Sequence, residues 1–498
     1  MKQLNKLTRY LMIAFAALTI VSCSKKTDEV VDKADPKLLS FGFYAEDNED
    51  NLFRDYVVST VTGNAIQIEL PKDADRTKLV ARFTTTDNAT VTVSGVPQQS
   101  GTTKTNFSTP VDYIITEGKT NARYTVTIAN AADYVWTKVG TYEDNTTTGD
   151  YYMKVNLTTG EPYFAYKLSA TETADQKAYV VKYQNGWSSV GGAISAGRIG
   201  GYLGLTFNNE GQPYVTYPDY TGTVAQSPSV HYYNGSTWAR LGDAGLFSSS
   251  VTYTALGINP ANNQPILFNY LNSASGGPLA RRALAVSSYN GTTWSIASQV
   301  TGRPESLYSG PMKTKTVGDI LYLAVFNSGG TQTYSVYTYK QGTWTTIIDK
   351  KIEDPLFNSY LSDIGMDVDH DGNIYIVIAD NADGSGTYKL RVKKYTASTA
   401  TWSQVGNLIN VDVSKGKNYS IAVSPSGTPH VLYRNDAGYP IVVAFDTEAK
   451  DWGTPKVLEE VASKSTNVYL DFAADGTGYA SYINTPGNIV LYKYDAAN

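Results

Sequence analysis

Tyr289-Asn290-Gly291-Thr292-Thr293-Trp294 repeats, 56 residues on, the pattern of Tyr233-Asn234-Gly235-Ser236-Thr237-Trp238. Asn-Gly between two apolar stretches predicts a tight two-residue hairpin, because both residues tolerate the positive backbone angles such a turn needs. The tryptophan that closes each hairpin is periodic. All seven in the chain, Trp136, Trp187, Trp238, Trp294, Trp344, Trp402 and Trp452, fall at intervals of 51, 51, 56, 50, 58 and 50. About 25 residues after each tryptophan comes a second turn signal: Gly160-Glu161-Pro162-Tyr163, Gly211-Gln212-Pro213-Tyr214, Asn263-Gln264-Pro265, Gly318-Asp319-Ile320, Gly372-Asn373-Ile374-Tyr375, Gly427-Thr428-Pro429-His430 and Gly476-Thr477-Gly478-Tyr479. Each repeat therefore reads as four short strands joined by two short turns.

Four-stranded units of this length, repeated, predict the blades of a β-propeller over residues 133–498. Seven are expected. The first repeat opens at Trp136 with an outermost strand alone, and the chain ends at Tyr492-Lys493-Tyr494 after a third strand. The N-terminal strand should therefore pair with Asn488–Tyr494 and close the ring, leaving no open sheet edge. A linear array of separate four-stranded modules is the competing arrangement.

Residues 37–132 also read as strands and turns. Ala65-Ile66-Gln67-Ile68-Glu69-Leu70 and Tyr124-Thr125-Val126-Thr127-Ile128 alternate with period two, and Pro71, Gly95 to Pro97, Gly101 and Gly118 punctuate them. A β-sandwich is expected, and the whole chain is expected to be all-β.

The first 22 residues carry Lys2, Lys6 and Arg9 ahead of an apolar run from Leu11 to Val21, too short to span a bilayer and therefore read as a secretory signal. Ile20-Val21-Ser22-Cys23 is similar to a bacterial lipobox, which implies lipid attachment at Cys23, the chain's single cysteine. Residues 23–36 read as a solvated tether. The formal charge over 498 residues is −5. It becomes more negative once the signal is removed, which argues against a nucleic-acid partner. One cysteine excludes an internal disulfide.

Counted from the propeller axis, the short turns join strands one to two and three to four, so they share one face. The variable connections share the other, where binding sites on rigid scaffolds tend to lie. They carry Arg198, Arg281, Arg282, Arg303, Tyr308, Phe357, Tyr360, Tyr419 and Arg434 as candidate ligand-binding residues. Tyrosine and phenylalanine faces suit sugar rings, and guanidinium groups suit carboxylates and hydroxyls. The same residues read equally well as loop packing.

Three sharper patterns stand in the sequence. Asp367, Asp369 and Asp371 before Gly372 match the first half of a calcium loop, but Tyr375 and Ile378 stand where later ligands belong, so calcium is not expected. Ser287, Tyr289, Gly291, Thr293 and Trp294 resemble an Asp-box, the structural hairpin of sialidase-type propellers, with Tyr289 in place of its aspartate. Sialidase chemistry would need a three-arginine clamp, for which Arg198, Arg282 and Arg303 are available, and a Tyr–Glu nucleophile pair. His231, His370 and His430 sit in three different repeats at no metal-site spacing. No cofactor is expected.

The Asn106-Phe107-Ser108-Thr109-Pro110-Val111-Asp112-Tyr113 run, with Tyr124 to Ile128, resembles the closing half of Ig-like spacer domains at the N-terminus of Bacteroidota surface lipoproteins. Together with the lipobox and the propeller, that resemblance implies an outer-membrane lipoprotein, periplasmic or surface-displayed, that binds glycan through the variable-loop face. The rival readings are a glycoside hydrolase or lyase using loop carboxylates, and a protein-interaction disc docking to an outer-membrane partner.

Overall fold

The computed structural model describes residues 35–496, apart from positions 50, 53, 73 and 466 and the segments 273–278, 304–307, 328–332, 349–362, 381–387 and 414–418. Regular structure among the described residues is strand, save for three single-turn 3-10 segments at Ala45–Asp47, Arg76–Lys78 and Thr173–Asp175. None of the described helices is long and apolar enough to cross a membrane.

The N-terminal region is a β-sandwich. One sheet pairs Leu38–Phe43 with Tyr56–Val58 and Arg82–Thr85; the other runs Ala65–Leu70, Thr120–Asn130, Val111–Glu117, Thr90–Val93, Val96–Pro97. Alternation does its work here: along Ala65–Leu70 every second residue, Ile66, Ile68 and Leu70, is buried. Between the sheets Phe41, Phe43, Phe107 and Tyr113 pack mainly edge to face, with ring centroids as close as 5.0 Å, the geometry aromatic quadrupoles favour.

From residue 134 onward seven sheets follow one another. Their innermost strands are Thr147–Asn156, Gly204–Phe207, Val251–Asn259, Ser309–Val317, Gly365–Val368, Tyr419–Val423 and Val468–Phe472, which define blades one to seven. Each innermost strand contacts the next, and that of blade seven contacts that of blade one. The ring is thus closed, as a β-propeller. Blade seven takes its outermost strand from Tyr134–Tyr142, which pairs antiparallel with Ile489–Ala496. In blade three the outermost position is held by two bridges, Val286 to Ser298 and Tyr289 to Trp294.

The periodic tryptophans join neighbouring blades. Trp238, Trp294 and Trp452 donate their indole N–H to the carbonyls of Val190, Leu241 and Val405, at 2.7, 2.9 and 3.2 Å. Each carbonyl precedes a glycine, Gly191, Gly242 or Gly406, on which a Cβ would lie 3.0 to 3.1 Å from the same indole. The Asn-Gly hairpins differ from the expected two-residue turn. Asn234 and Asn290 bond through their N–H to Thr237 and Thr293, their side chains cap the next N–H groups, and within each pair the glycine alone has positive φ. These are four-residue loops in which the asparagine side chain substitutes for backbone pairing. A two-residue turn with both angles positive occurs at Gln341-Gly342 instead.

Candidate functional site

The pairing registers align the innermost strands residue by residue. Lys154, Thr206, Gly257, Lys315, Asp367, Ala422 and Asp471 occupy one level around the axis. Lys315 lies 2.9 Å from Asp367 and 3.9 Å from Asp471. Each aspartate also reaches the following blade: Val423 N–H donates to Asp367 and Val155 N–H to Asp471. The proton affinity of Lys315 is raised, because the two carboxylates outweigh the burial that alone would lower it. This charged belt separates the two mouths of the axial channel.

Towards the variable-loop face, above the belt, the channel mouth is lined by Asp150, Tyr152, Tyr202, Tyr253, Lys313, Asp363 and Tyr469. Tyr202 meets Tyr253 at 4.5 Å between ring centroids, Tyr253 meets Tyr270 at 5.7 Å, and Tyr152 meets Tyr469 at 5.0 Å. Tyr469 is anchored by its hydroxyl, which donates to the Tyr151 carbonyl at 2.8 Å. Burial raises the phenols of Tyr152, Tyr253 and Tyr469 above the usual tyrosine value. They are neutral hydroxyls, of which that of Tyr469, its proton already given to Tyr151, offers only an acceptor. Lys313 and Asp363 lie 3.7 Å apart, and Lys167 and Asp150 4.0 Å apart. Burial lifts the Asp363 carboxyl, and Lys313 offsets this only in part. The enclosed volume is about 50 Å³, so the mouth is a shallow surface of rings and hydroxyls.

Among the described residues, Tyr419 is the one proposed ligand-binding candidate that lines the channel; it is buried, and its hydroxyl donates to the Asp363 carbonyl at 2.8 Å. Arg198 stacks over Tyr220 at 4.3 Å, and Arg282 over Tyr308 at 4.8 Å, on different sectors of the rim. Arg281 donates to the Asn272 carbonyl, and Arg434 to the Ser463 carbonyl, tying two connections together. Arg303 is corrected to a packing role. It is 6% exposed and donates to Tyr337 Oη and Asn327 Oδ1 at 3.0 and 2.8 Å. Arg198, Arg282 and Arg303 are therefore held by separate partners and form no common clamp. Phe357, Tyr360 and Cys23 lie outside the described residues.

The aspartates of the calcium-like pattern do not face one point. Asp367 turns to Lys315, Asp369 caps Asn373 through its N–H and Nδ2 at 2.8 and 2.9 Å, and Asp371 lies exposed beside His370. Among the described residues no group of three or more His, Cys, Asp or Glu side chains is placed to hold a metal. His231 and His430 are buried, with Nδ1 against Tyr217 Oη and the Thr428 carbonyl.

Sequence reasoning missed Tyr202, Tyr253 and Tyr469, although a signal was present. Tyr202, Tyr253, Tyr308, Tyr360, Tyr419 and Tyr469 recur at the blade period, ahead of or within the innermost strands.

Fold and site together define an all-β protein with an N-terminal sandwich and a propeller whose channel opens through a tyrosine-lined mouth. Residues 53–128 match the family model described as SGBP, N-terminal, the N-terminal domain of cell-surface glycan-binding proteins. No curated protein matches the chain. Among solved structures, an ulvan lyase of a new polysaccharide lyase family aligns at 14% identity over 72% of this chain and 96% of its own, with a TM-score of 0.46. An α-L-arabinanase of Penicillium chrysogenum aligns at 12% identity over 59% and 92%, with a TM-score of 0.39. A lectin of Aleuria aurantia in complex with Fucα1-6GlcNAc aligns at 14% identity over 60% and 92%, with a TM-score of 0.38.

Proposed function

We propose that this is a surface glycan-binding lipoprotein of the Bacteroidota type, whose ligand lies across the variable-loop mouth of the propeller channel. The observation that carries the reading is the convergence of Tyr152, Tyr202, Tyr253 and Tyr469, from three blades' entry strands and one adjoining connection, on a mouth also supplied with Lys313 and Asp363. Tyrosine faces stack on the C–H faces of sugar rings, and neutral phenols exchange hydrogen bonds with sugar hydroxyls. The match of residues 53–128 to a surface glycan-binding domain supports the same ligand class. In this reading lipid on Cys23 holds the protein at the outer membrane, and the Ig-like sandwich of residues 37–132 acts as a spacer.

A panel of soluble polysaccharides, tested by affinity electrophoresis with analysis of every bound glycan for new reducing ends or unsaturated products, examines the proposal. Retention without product formation is the expected result. Product formation would replace it with an enzyme acting through carboxylates at that mouth, and no retention on any glycan would reject it.

A further inference from the structure

The larger enclosed space in the channel lies at the other mouth, on the short-turn face. It is a cavity of about 300 Å³ whose lining includes Lys154, Thr206, Phe207, Asn208, Ile258 and Thr316. In the belt, from which Lys315 and Asp471 also line this cavity, Lys315 takes both aspartates, while backbone N–H groups of Val423, Val155 and Phe472 occupy further carboxylate positions. Lys154 is left over. Among the described residues no carboxylate approaches its ammonium within salt-bridge distance and no acceptor hydrogen-bonds to it.

We propose that this cavity is an anion site in which Lys154 binds one carboxylate or sulfate group. An ammonium withdrawn from bulk water carries three donors that must be satisfied, and an anion satisfies charge and hydrogen bonding together. Burial holds the proton affinity of Lys154 below the usual lysine value, with Asp471 opposing that effect and Lys315 adding to it. A bound anion reverses part of this penalty. Thr206, Asn208 and Thr316 provide polar wall, and Phe207 and Ile258 an apolar wall for the carbon skeleton of a carrier. The cavity opens away from the tyrosine-lined mouth, and Lys154, Lys315 and Asp471 of the belt line both it and the narrower space on the other side.

The test is calorimetric titration of the full chain at low ionic strength with sodium sulfate, sodium glucuronate and a sulfated disaccharide, with glucose as neutral control. Saturable one-to-one binding of at least one anion is expected, weakened at least tenfold in Lys154→Met, retained in Lys154→Arg and unchanged in Tyr253→Ala. Should Lys154→Met fail to fold, Lys154→Gln serves in its place. A disaccharide bound at least tenfold more tightly than inorganic sulfate assigns the group to a glycan, and equal affinities assign it to a free anion; either supports the site. Undiminished binding in Lys154→Met, no saturable binding of any anion, or binding lost in Tyr253→Ala alone overturns it.

Discussion

His231 and His430 are 7% and 3% exposed, and burial pulls both imidazoles down to about 4. An unfolded histidine titrates near 6.5, so between those values the unfolded chain binds more protons than the folded one. Stability is therefore full above about pH 6.5 and drains as pH falls towards about 4, at up to ~1.4 kcal/mol per pH unit for each histidine. Urea unfolding midpoints across that window should fall with pH, and His430→Phe should make the slope shallower; an unchanged slope would place the titration elsewhere. Lys315 obeys the opposite sign. Its folded value is raised, so its contribution is present at neutral pH and lost only as pH rises through that value. Lys315→Met strands one buried and one half-buried carboxylate and should cost about 3 kcal/mol at pH 7, read by denaturant unfolding. The Lys315 network was not legible in the sequence, because Lys315 and its aspartates come from blades four, five and seven and meet only when the ring closes.

At the scale of elements, the tryptophan period located the outermost strands, and in three of them, those of Trp238, Trp294 and Trp452, the indole binds a carbonyl of the preceding blade. The partner of that indole was less visible. Gly191, Gly242 and Gly406 hide among 42 glycines, and only contact geometry separates them from ordinary turn residues. Gly242 has φ of 83° and stands where a Cβ would lie 3.0 Å from Leu246 and 3.1 Å from Trp294. Gly242→Ala should destabilise the propeller by about 1–3 kcal/mol in thermal unfolding. Gly186→Ala, where a Cβ meets nothing within 4 Å, should stay within about 0.5 kcal/mol of the parent. Equal effects would show that the indole contact does not restrict the position. The closing strand is a second element-scale device. Deleting residues 1–142 removes Tyr134–Tyr142 and exposes the edge of Ile489–Ala496, so aggregation and loss of a cooperative transition are expected. Deletion of residues 1–130 leaves that strand in place and should preserve the transition.

The whole molecule puts its two faces to different uses. The N-terminal sandwich meets the propeller on the short-turn face, where Asn51, Tyr56 and Lys72 share a cleft with Ser424, Ser426, Asp475 and Tyr494, leaving the tyrosine-lined mouth on the opposite side. The face of the variable connections, where the tyrosine-lined mouth opens, could be read from turn lengths, and Tyr419 was found because it sits beside one of those connections. Tyr152, Tyr253 and Tyr469 were passed over because they lie within strands, where tyrosine also serves as ordinary core, as fully buried Tyr217 and Tyr482 do. Rim arginines drew notice instead, and the structure shows several of them stacked on tyrosine or spent on backbone carbonyls. The central claim is that glycan is held at the tyrosine-lined mouth. Its most direct test is the dissociation constant of a retained polysaccharide for the parent chain and for the Tyr202→Ala/Tyr253→Ala double variant, with melting temperatures measured alongside. Losing two stacking faces worth ~1 kcal/mol each should weaken binding at least tenfold while the melting temperature stays unchanged. Equal affinity in the two proteins would contradict the claim and move the glycan site away from that mouth.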